Sequence, residues 1–338
     1  MTRSDMPTAS VIVITFKRPA HAQECIAHLL KQVTKAAQII VVDGSPDRDT
    51  ETLLAPLPEV IYVRHAAGAG NMTSSRNAGL PLATADYVVF LDDDANARPD
   101  FIEQLTGFWS ENPSVQLGCA RATNGTPDEA TLNLDQLGVI DRLGQIWGNF
   151  GGDPGRPVTI DHGLGATMWM KRSMLQELGG FREYFAGTSA REDTDMFLRG
   201  ARLGHQAWFV NEAVVEHVAA PQDVGERFDL RYMYWSGHNT AILYAADKGL
   251  LSGSFIKTLG YDVLHNLQYG GPWYRRTART LVVAFAWLRG SLWALRKFGP
   301  KPKHPVGGYA RPAAVASPSS ELARTLRGKL TSRLERRG

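Results

Sequence analysis

Residues 87–94 read Tyr-Val-Val-Phe-Leu-Asp-Asp-Asp, and this stretch is the most informative about the fold. Its first five residues are apolar, rich in β-branched and aromatic side chains, as in a strand buried on both faces of a sheet. Turn-forming residues flank it at positions 85–86 and 96–99. Three carboxylates directly after a buried strand repel one another unless a cation joins them. The stretch therefore predicts either a divalent metal site at a strand end or a solvated acidic turn.

Apolar segments alternate with polar-faced helical segments over the first hundred residues. We predict strands at about residues 11–16, 39–42, 60–64 and 87–91, and helices at about 20–32 and 73–81. Such alternation produces right-handed crossovers and a mostly parallel sheet. Open α/β sheets bind ligands beyond the carboxyl ends of their strands, which is where the acidic stretch lies.

The following 120 residues are more mixed. We predict strands at 115–122, 207–210 and 213–218, a short apolar segment at 168–170, helices at 173–179 and 193–203, and a loop-rich stretch at 123–160. From residue 221 the periodicity becomes helical. A mixed α/β domain followed by helices is therefore expected.

Composition restricts the class of protein. Of the 338 residues, 43% are hydrophobic and 21% are charged, as in soluble globular proteins. Cys25 and Cys119 have neither metal-ligand spacing nor a disulfide framework, so we expect reduced packing residues. The first apolar segment, residues 10–16, is too short for a secretory signal. These features favour a cytoplasmic protein.

The C-terminal region is basic and amphipathic. Residues 301–338 contain nine Lys/Arg and two Glu, a net charge of +7, whereas residues 1–300 sum to −4. Nucleic-acid binding by the main domain therefore has little support. Before this tail, five apolar residues share one helical face: Leu281, Phe285, Leu288, Leu292 and Leu295. The pattern is consistent with peripheral association at the cytoplasmic face of the inner membrane or with packing against the main domain, and the sequence leaves both open.

Several short motifs follow one another in order. They are VIVITFKR at 11–18, IVVDGS at 40–45, RNAG at 76–79, FLDDD at 90–94, GA at 165–166, GGFRE at 179–183, EDTD at 192–195, and a histidine at 217. Each alone is weakly specific, whereas their order and spacing together are strongly specific. Over residues 10–220 the chain resembles the inverting family 2 glycosyltransferases, a GT-A group that uses nucleotide-diphosphate sugars.

The resemblance implies an architecture. It predicts an α/β fold of GT-A type, a single domain at 8–220 with a Rossmann-like, mostly parallel mixed sheet. The nucleotide-sugar half would cover about residues 8–100 and the acceptor half about 101–220. A C-terminal helical region at 221–300 and a basic linker and tail at 301–338 would follow.

The resemblance also implies a metal site for Mn²⁺ or Mg²⁺. Asp92 and Asp94 match the ends of the family's Asp-x-Asp motif, with Asp94 the more direct ligand and Asp92 closer to ribose or sugar hydroxyls. Asp93 is assigned to the same donor-binding stretch. His217 matches a histidine used at the metal–diphosphate site in some members, and an imidazole suits Mn²⁺ better than Mg²⁺. The alternative for His217 is a half-exposed residue that ends a strand.

Asp193 matches the family's general base. An alcohol is a poor nucleophile until its proton is removed, and a carboxylate at a helix start can accept that proton. Attack and departure on opposite faces of the anomeric carbon would invert its configuration. The alternative is that Glu192, Asp193 and Asp195 only cap a helix.

Other positions would contact the donor or the acceptor. The positions that hold base and ribose are matched by Thr15, Arg18 and Asp43, and Arg76 is a further donor contact. The alternatives are a helix cap for Thr15, a solvated cation for Arg18, a turn for Asp43 and a surface ion pair for Arg76. For the sugars we predict contacts from four residues: Gly165, Ala166, Glu192 and Trp169. Tryptophans in such numbers are more often core or interface residues, which is the alternative for Trp169. Residues 236–239, Ser-Gly-His-Asn, replace an Arg-Asn pair found in many members and leave the acceptor side open.

The predicted function is inverting, metal-dependent transfer of a sugar, with a UDP- or dTDP-sugar favoured as donor. The acceptor would be a hydroxyl of a glycan or lipid-linked intermediate, as in cell-surface polysaccharide biosynthesis. A sugar-phosphate nucleotidyltransferase is disfavoured because residues 15–19 lack the glycines of a phosphate loop. A non-catalytic sugar-nucleotide-binding protein is disfavoured because the acidic residues and the histidine are all retained.

Overall fold

The computed structural model describes residues 6–218, 230–268 and 272–300. The strands are β1 (Ala9–Thr15), β2 (Gln38–Asp43), β3 (Val60–Arg64), β4 (Tyr87–Asp92), β5 (Ala95–Ala97), β6 (Leu117–Thr123), β7 (Val139–Ile140), β8 (Ile146–Trp147), β9 (Val158–Ile160), β10 (Met168–Lys171) and β11 (Ala207–His217). The helices are α1 (Pro19–Leu30), α2 (Asp49–Leu54), α3 (Met72–Gly79), α4 (Phe101–Glu111), α5 (Arg172–Leu178), α6 (Glu192–Arg202), α7 (Leu230–Lys248), α8 (Gly253–Gln268) and α9 (Trp273–Phe298).

One large sheet organises the main domain. Its strand order is β3-β2-β1-β4-β10-β6-β11-β5, and β9 pairs with β11. The strands β3, β2, β1 and β4 are parallel, β10 is antiparallel to both of its neighbours, and β6 and β11 are parallel. The chain order reverses between β1 and β4, so the crevice beyond their carboxyl ends is a topological switch point, where open α/β sheets bind ligands.

Two apolar layers cover the two faces of this sheet. Successive side chains of a strand point to opposite faces. Accordingly Val11 and Val13 belong to one buried cluster, and Ile12 and Ile14 belong to the other. All seven residues of β1 are buried, which explains its continuous apolar sequence.

The structure adds two helices that the sequence analysis did not predict, α2 and α4. In α4 the buried side chains Phe101, Ile102, Leu105, Phe108 and Trp109 recur at helical spacing. A helical pattern of apolar residues was therefore present in the sequence, shortly after the acidic stretch. The stretch 123–160, predicted as loop-rich, contains the short hairpin β7–β8 and the strand β9.

The last strand is also longer than predicted. We expected two strands, at 207–210 and 213–218, and the structure has a single strand, β11. Asn211 and Glu212 interrupt its apolar pattern, and the register with β6 shifts between Val210 and Val214. Two polar residues in an apolar segment can therefore mark an irregularity within one strand as well as a loop between two strands.

Three helices follow the sheet domain. Helix α9 packs on α7 through small residues, because a Cβ on Gly290 would meet the His238 carbonyl oxygen at 2.4 Å and Ala241 Cβ at 2.9 Å. Within the described residues, no helix combines the length and the apolar character needed to cross a bilayer. The boundary predicted at residue 220 and the tail predicted at 301–338 lie outside the described residues, and the division into domains stays a prediction.

Candidate active site

A cavity of about 1090 Å³ opens beyond the carboxyl ends of β1 and β4. Ten of the residues predicted to form the site line it: Thr15, Arg18, Arg76, Asp92, Asp94, Gly165, Ala166, Glu192, Asp193 and His217. They are far apart in the sequence, and most of them lie on or next to four elements: β1, β4, α6 and β11. The predicted metal-binding and proton-accepting groups therefore share one cavity.

Two carboxylates and one imidazole converge at one side of this cavity. Ligand atoms of Asp92, Asp94 and His217 all lie within 4.8 Å of one another. His217 Nε2 is 3.4 Å from Asp94 Oδ1, and its Nδ1 is 3.2 Å from Asn124 Oδ1. The end of β11 holds His217 here because it pairs with β5, which follows the acidic stretch directly. This donor set is suitable for Mn²⁺ or Mg²⁺, with the imidazole favouring Mn²⁺.

The middle carboxylate of the acidic stretch is buried and does not line the cavity. Asp93 is fully buried and accepts a hydrogen bond of 2.6 Å from Thr15 Oγ1. The Arg18 guanidinium donates to Asp93 and, at 3.1 Å, to Asp94. Burial raises the pKa of Asp93 to about 7, against the opposing effects of the Arg18 charge and the Thr15 hydrogen bond. Hydrogen bonds from Arg18 and Thr15 therefore hold the acidic stretch in place.

A fully buried arginine connects the acidic stretch to helix α6. Arg76 Nη1 donates to Glu192 Oε1 at 2.7 Å, and its Nη2 donates to Asp92 Oδ1 at 3.2 Å and to the Gly165 carbonyl oxygen at 3.3 Å. Burial acts to lower the pKa of Arg76, but the Glu192 and Asp92 carboxylates more than offset it, so its pKa is raised. Burial, followed by the charge of Asp193, raises the pKa of Glu192 to about 8.

Two backbone amides fix the carboxylate of Asp193. The Gly165 N–H donates to Oδ2 at 3.0 Å, and the Thr194 N–H donates to Oδ1 at 2.6 Å. A Cβ on Gly165 would lie 3.1 Å from both Arg76 Nη2 and Glu192 Oε1, so a side chain there would press on this buried ion pair. The Asp193 carboxylate is therefore held in one orientation at the cavity wall.

A second histidine, His162, lines the same cavity and is 4% exposed, and it is not among the predicted site residues. Its Nε2 lies 3.0 Å from the Trp147 carbonyl oxygen, which only accepts, so Nε2 carries the proton. Burial lowers the pKa of His162 despite the nearby Asp193 charge, which leaves the ring neutral. Its Nδ1 is then an acceptor, without a hydrogen-bond partner in the described ranges. No periodicity or motif marks this residue in the sequence.

Three predicted contacts, Asp43, Asp93 and Trp169, do not line the cavity, and the donor-binding roles of Asp43 and Asp93 stay predictions. Asp43 is fully buried and accepts from the Ser45 N–H and the Tyr62 hydroxyl, both at 2.8 Å. Asp93 lies in the turn after β4 and is fully buried against Thr15 and Arg18.

Trp169 is likewise in the core. It is fully buried among aromatic rings, with its centroid 5.6 Å from that of Trp109 and 6.0 Å from that of Tyr87. A side chain on the inner part of β10 cannot stack on a sugar in the cavity, so the core interpretation of Trp169 is the correct one.

The geometry can be compared with known proteins. The family model of Glycosyl transferase family 2 matches residues 10–179, half of the chain. The chain belongs to glycosyl transferase family 2. The resemblance inferred from the ordered motifs is thereby confirmed.

Curated relatives match this family 2 chain over part of their length. Uncharacterized glycosyltransferase EpsJ of Bacillus subtilis (strain 168) is 33% identical over 117 residues, which cover 34% of each chain. Glucosyl-dolichyl phosphate glucuronosyltransferase of Haloferax volcanii is 26% identical over 187 residues, 51% of this chain and 55% of the relative. The chain thus spans between about a third and about half of these relatives.

A solved structure shares the fold of this family 2 chain. The crystal structure of S. aureus TarS 1–349 superposes with a TM-score of 0.55 over 84% of this chain and 81% of the other, at 13% sequence identity. At this identity the similarity concerns the fold alone. The predicted α/β fold of GT-A type, with C-terminal helices, is confirmed.

Proposed function

We propose that this family 2 protein transfers a sugar from a nucleotide-diphosphate donor to an acceptor hydroxyl, with inversion at the anomeric carbon. One observation carries the proposal: the cluster of Asp92, Asp94 and His217 and the fixed carboxylate of Asp193 line the same cavity. The first is suited to hold a divalent cation, and the second to accept a proton. A metal-dependent sugar transfer with a general base uses both at one reacting centre.

Asp92, Asp94 and His217 would hold the Mn²⁺ or Mg²⁺ ion, with Asp94 as the principal ligand. When bound, such an ion stabilises the negative charge that develops on the departing diphosphate. The buried Arg76 keeps Asp92 oriented toward this site through its 3.2 Å hydrogen bond. Arg18 does the same for Asp94 from the other side, at 3.1 Å.

Asp193 would act as the general base. Its carboxylate accepts the proton of the acceptor hydroxyl while that oxygen forms a bond to the anomeric carbon. The bond between this carbon and the diphosphate oxygen breaks on the opposite face, and the diphosphate leaves with the electron pair. The Gly165 and Thr194 amides hold the carboxylate in place for this step, which reduces the entropy lost on reaching the transition state.

The donor and acceptor are proposed from the sequence and from one relative. A UDP- or dTDP-sugar remains the favoured donor. The Haloferax volcanii relative is named for activity on glucosyl-dolichyl phosphate, a lipid-linked sugar. That name supports a lipid-linked or glycan acceptor here.

The test separates binding from turnover. Thermal shifts with UDP, dTDP, GDP, CDP and ADP, each with and without Mn²⁺, identify the base, because ligand binding raises apparent stability. Asp193→Asn should retain the Mn²⁺-dependent shift and lose turnover by about 100-fold or more, measured as nucleoside diphosphate release. Asp94→Asn should lose the metal-dependent shift itself.

Glu111→Gln is the matched control, since Glu111 is exposed at the end of α4 and does not line the cavity. It should behave as wild type in both measurements. An Asp193→Asn enzyme with normal turnover would refute the base assignment. Metal-dependent binding without transfer to any acceptor would instead favour a non-catalytic nucleotide-sugar-binding protein.

A further inference from the structure

The outer face of helix α9 is apolar and exposed. Five residues form a stripe along it, with exposed fractions of 65% for Leu281, 54% for Phe285, 56% for Leu288, 43% for Leu292 and 45% for Leu295. At 3.6 residues per turn they fall within a sector of about 80°. Contiguous exposed apolar patches of this kind mark interaction sites.

The opposite face of α9 is the one that packs on the protein. It is formed by Val283, Ala286, Trp287, Gly290 and Ala294, all buried. These residues already provide the apolar face with which α9 packs on the rest of the protein. The stripe is a second apolar face, and among the described residues it stays largely exposed, with Phe285 in contact with the Tyr234 ring at 6.2 Å between centroids.

Neighbouring residues extend the exposed apolar surface. Trp273 and Tyr274 begin the helix with exposed fractions of 76% and 55%, and Tyr274 falls in the same sector as the stripe. Helix α8 also exposes Ile256, Leu264 and Leu267. Tryptophan and tyrosine are the side chains enriched where a membrane meets water.

The charge on α9 indicates which partner covers the stripe. The helix carries six Arg/Lys residues and no Asp or Glu. Arg289 and Arg296 are exposed and lie beside the stripe on the helical wheel. Two copies packed stripe to stripe would bring twelve cations together without an anion from either helix, whereas anionic lipid headgroups would pair with them. The chain that follows, residues 301–338, adds a net charge of +7 in sequence.

We propose that the outer face of α9 is a docking surface for an anionic lipid bilayer. The helix lies parallel to the membrane plane, with the stripe at the boundary between headgroups and acyl chains and the arginines at the lipid phosphates. A helix with one apolar face and a basic flank binds membranes in this way without spanning them.

This docking would set the position of the cavity. Helix α7 connects the two: its first residues, Arg231 and Tyr232, line the cavity, and Gly237 on the same helix packs against Ala286 and Trp287 of α9. Helix α7 therefore extends from the cavity wall to the inner face of α9, whose outer face is the proposed membrane surface. If the proposed sugar transfer is correct, this placement suits an acceptor whose phosphate-linked lipid stays in the bilayer.

Vesicle flotation of the full chain tests the docking surface. Vesicles of phosphatidylcholine with about one third phosphatidylglycerol should bind the wild type, and pure phosphatidylcholine should bind it more weakly. Leu281→Gln, Leu288→Gln and Leu292→Gln are combined in one variant, since each side chain is about half exposed and none packs in the core. Losing three half-buried leucine contacts should weaken partitioning by about 100-fold.

The matched control carries three glutamines at exposed apolar positions elsewhere: Val33, Leu53 and Leu132. It should float as wild type does. Equal flotation of the stripe variant and the wild type would overturn the proposal. Light scattering gives a second outcome that would overturn it: a dimeric wild type and a monomeric stripe variant that float equally. The stripe would then bind a second copy of the chain and not a membrane.

Two further arms separate this proposal from the proposed function. Asp193→Asn should float normally, because its change lies in the cavity. The stripe variant should release nucleoside diphosphate at the wild-type rate with a water-soluble acceptor. A stripe variant that no longer floats but still transfers the sugar supports the docking surface. A wild type that floats normally but transfers no sugar leaves the docking surface intact and refutes only the sugar-transfer function.

Discussion

Replacing Arg76 by methionine should destabilise the protein strongly. Methionine retains most of the apolar stem but removes the guanidinium that donates to Glu192, Asp92 and the Gly165 carbonyl. Removing one partner of a buried ion pair costs about 3–5 kcal/mol, because the other is left without its counter-charge. We expect about 3 kcal/mol at pH 7, the lower end, because Glu192 has a pKa of about 8 and is mostly protonated there.

The cost of this substitution should grow with pH. The pKa of Glu192 lies well above its usual 4.5, so the folded protein binds a proton that the unfolded chain releases, and the free energy of unfolding falls as pH rises from 4.5 to about 8. Without Arg76 the pKa of Glu192 rises further, and the fall continues above pH 8. Relative to wild type, Arg76→Met should lose up to about 2 kcal/mol more at pH 9.5 than at pH 7.

A double-mutant cycle with Glu192→Gln measures both effects. Urea denaturation followed by circular dichroism gives the free energy of unfolding of all four proteins at the two pH values. The double variant should lack the additional loss at pH 9.5. Arg48→Met is the surface control, with 72% of its side chain exposed, and should change stability by less than about 0.5 kcal/mol. An Arg76→Met protein within about 1 kcal/mol of wild type at pH 7, or with the wild-type pH dependence, would refute the role given to Arg76.

Two further substitutions test the core beneath the cavity. Trp169→Phe should cost about 1–3 kcal/mol by leaving a cavity beside Tyr87, while the KM for the donor stays unchanged; a raised KM in steady-state assays would instead mean that Trp169 contacts the sugar. Gly118→Ala should cost about 3 kcal/mol or more, since its Cβ would lie 2.1 Å from the Trp208 carbonyl oxygen and 2.3 Å from the Trp169 ring. Calorimetry should show a clear fall in Tm for Gly118→Ala, and an unchanged Tm would contradict the tight packing of β6 on β10.

The parallel part of the sheet and the position of the acidic stretch could be predicted from the sequence because both depend on local patterns. A run of apolar residues predicts a buried strand, and the three aspartates end that strand and form the turn after it, so that Asp92 and Asp94 line the cavity and Asp93 is buried. The roles of Arg76 and His162 depend on contacts between distant positions. Arg76 meets Glu192 across 116 positions, and no periodicity encodes such a meeting.

Helix α9 shows a different limit of sequence analysis. Periodicity correctly groups Leu281 with Leu295 on one face, but it does not say which of two apolar faces packs. The helix approaches α7 closely through Gly290 and Ala286, because small residues allow helix backbones to come together. Trp287 packs on the inner face beside these small residues, and the leucines and Phe285 of the stripe are left on the outside.

Strands β4 and β5 lie on either side of a tight turn, yet they join different neighbours. β4 pairs with β10, from the second half of the chain, and β5 pairs with β11, near the end of the sheet domain. A cut near residue 100 would therefore strip hydrogen-bonding partners from both. The two segments on either side of residue 100 are therefore interlocked, so neither would persist as an independent fragment, and a split version of this protein would need its two pieces to fold together.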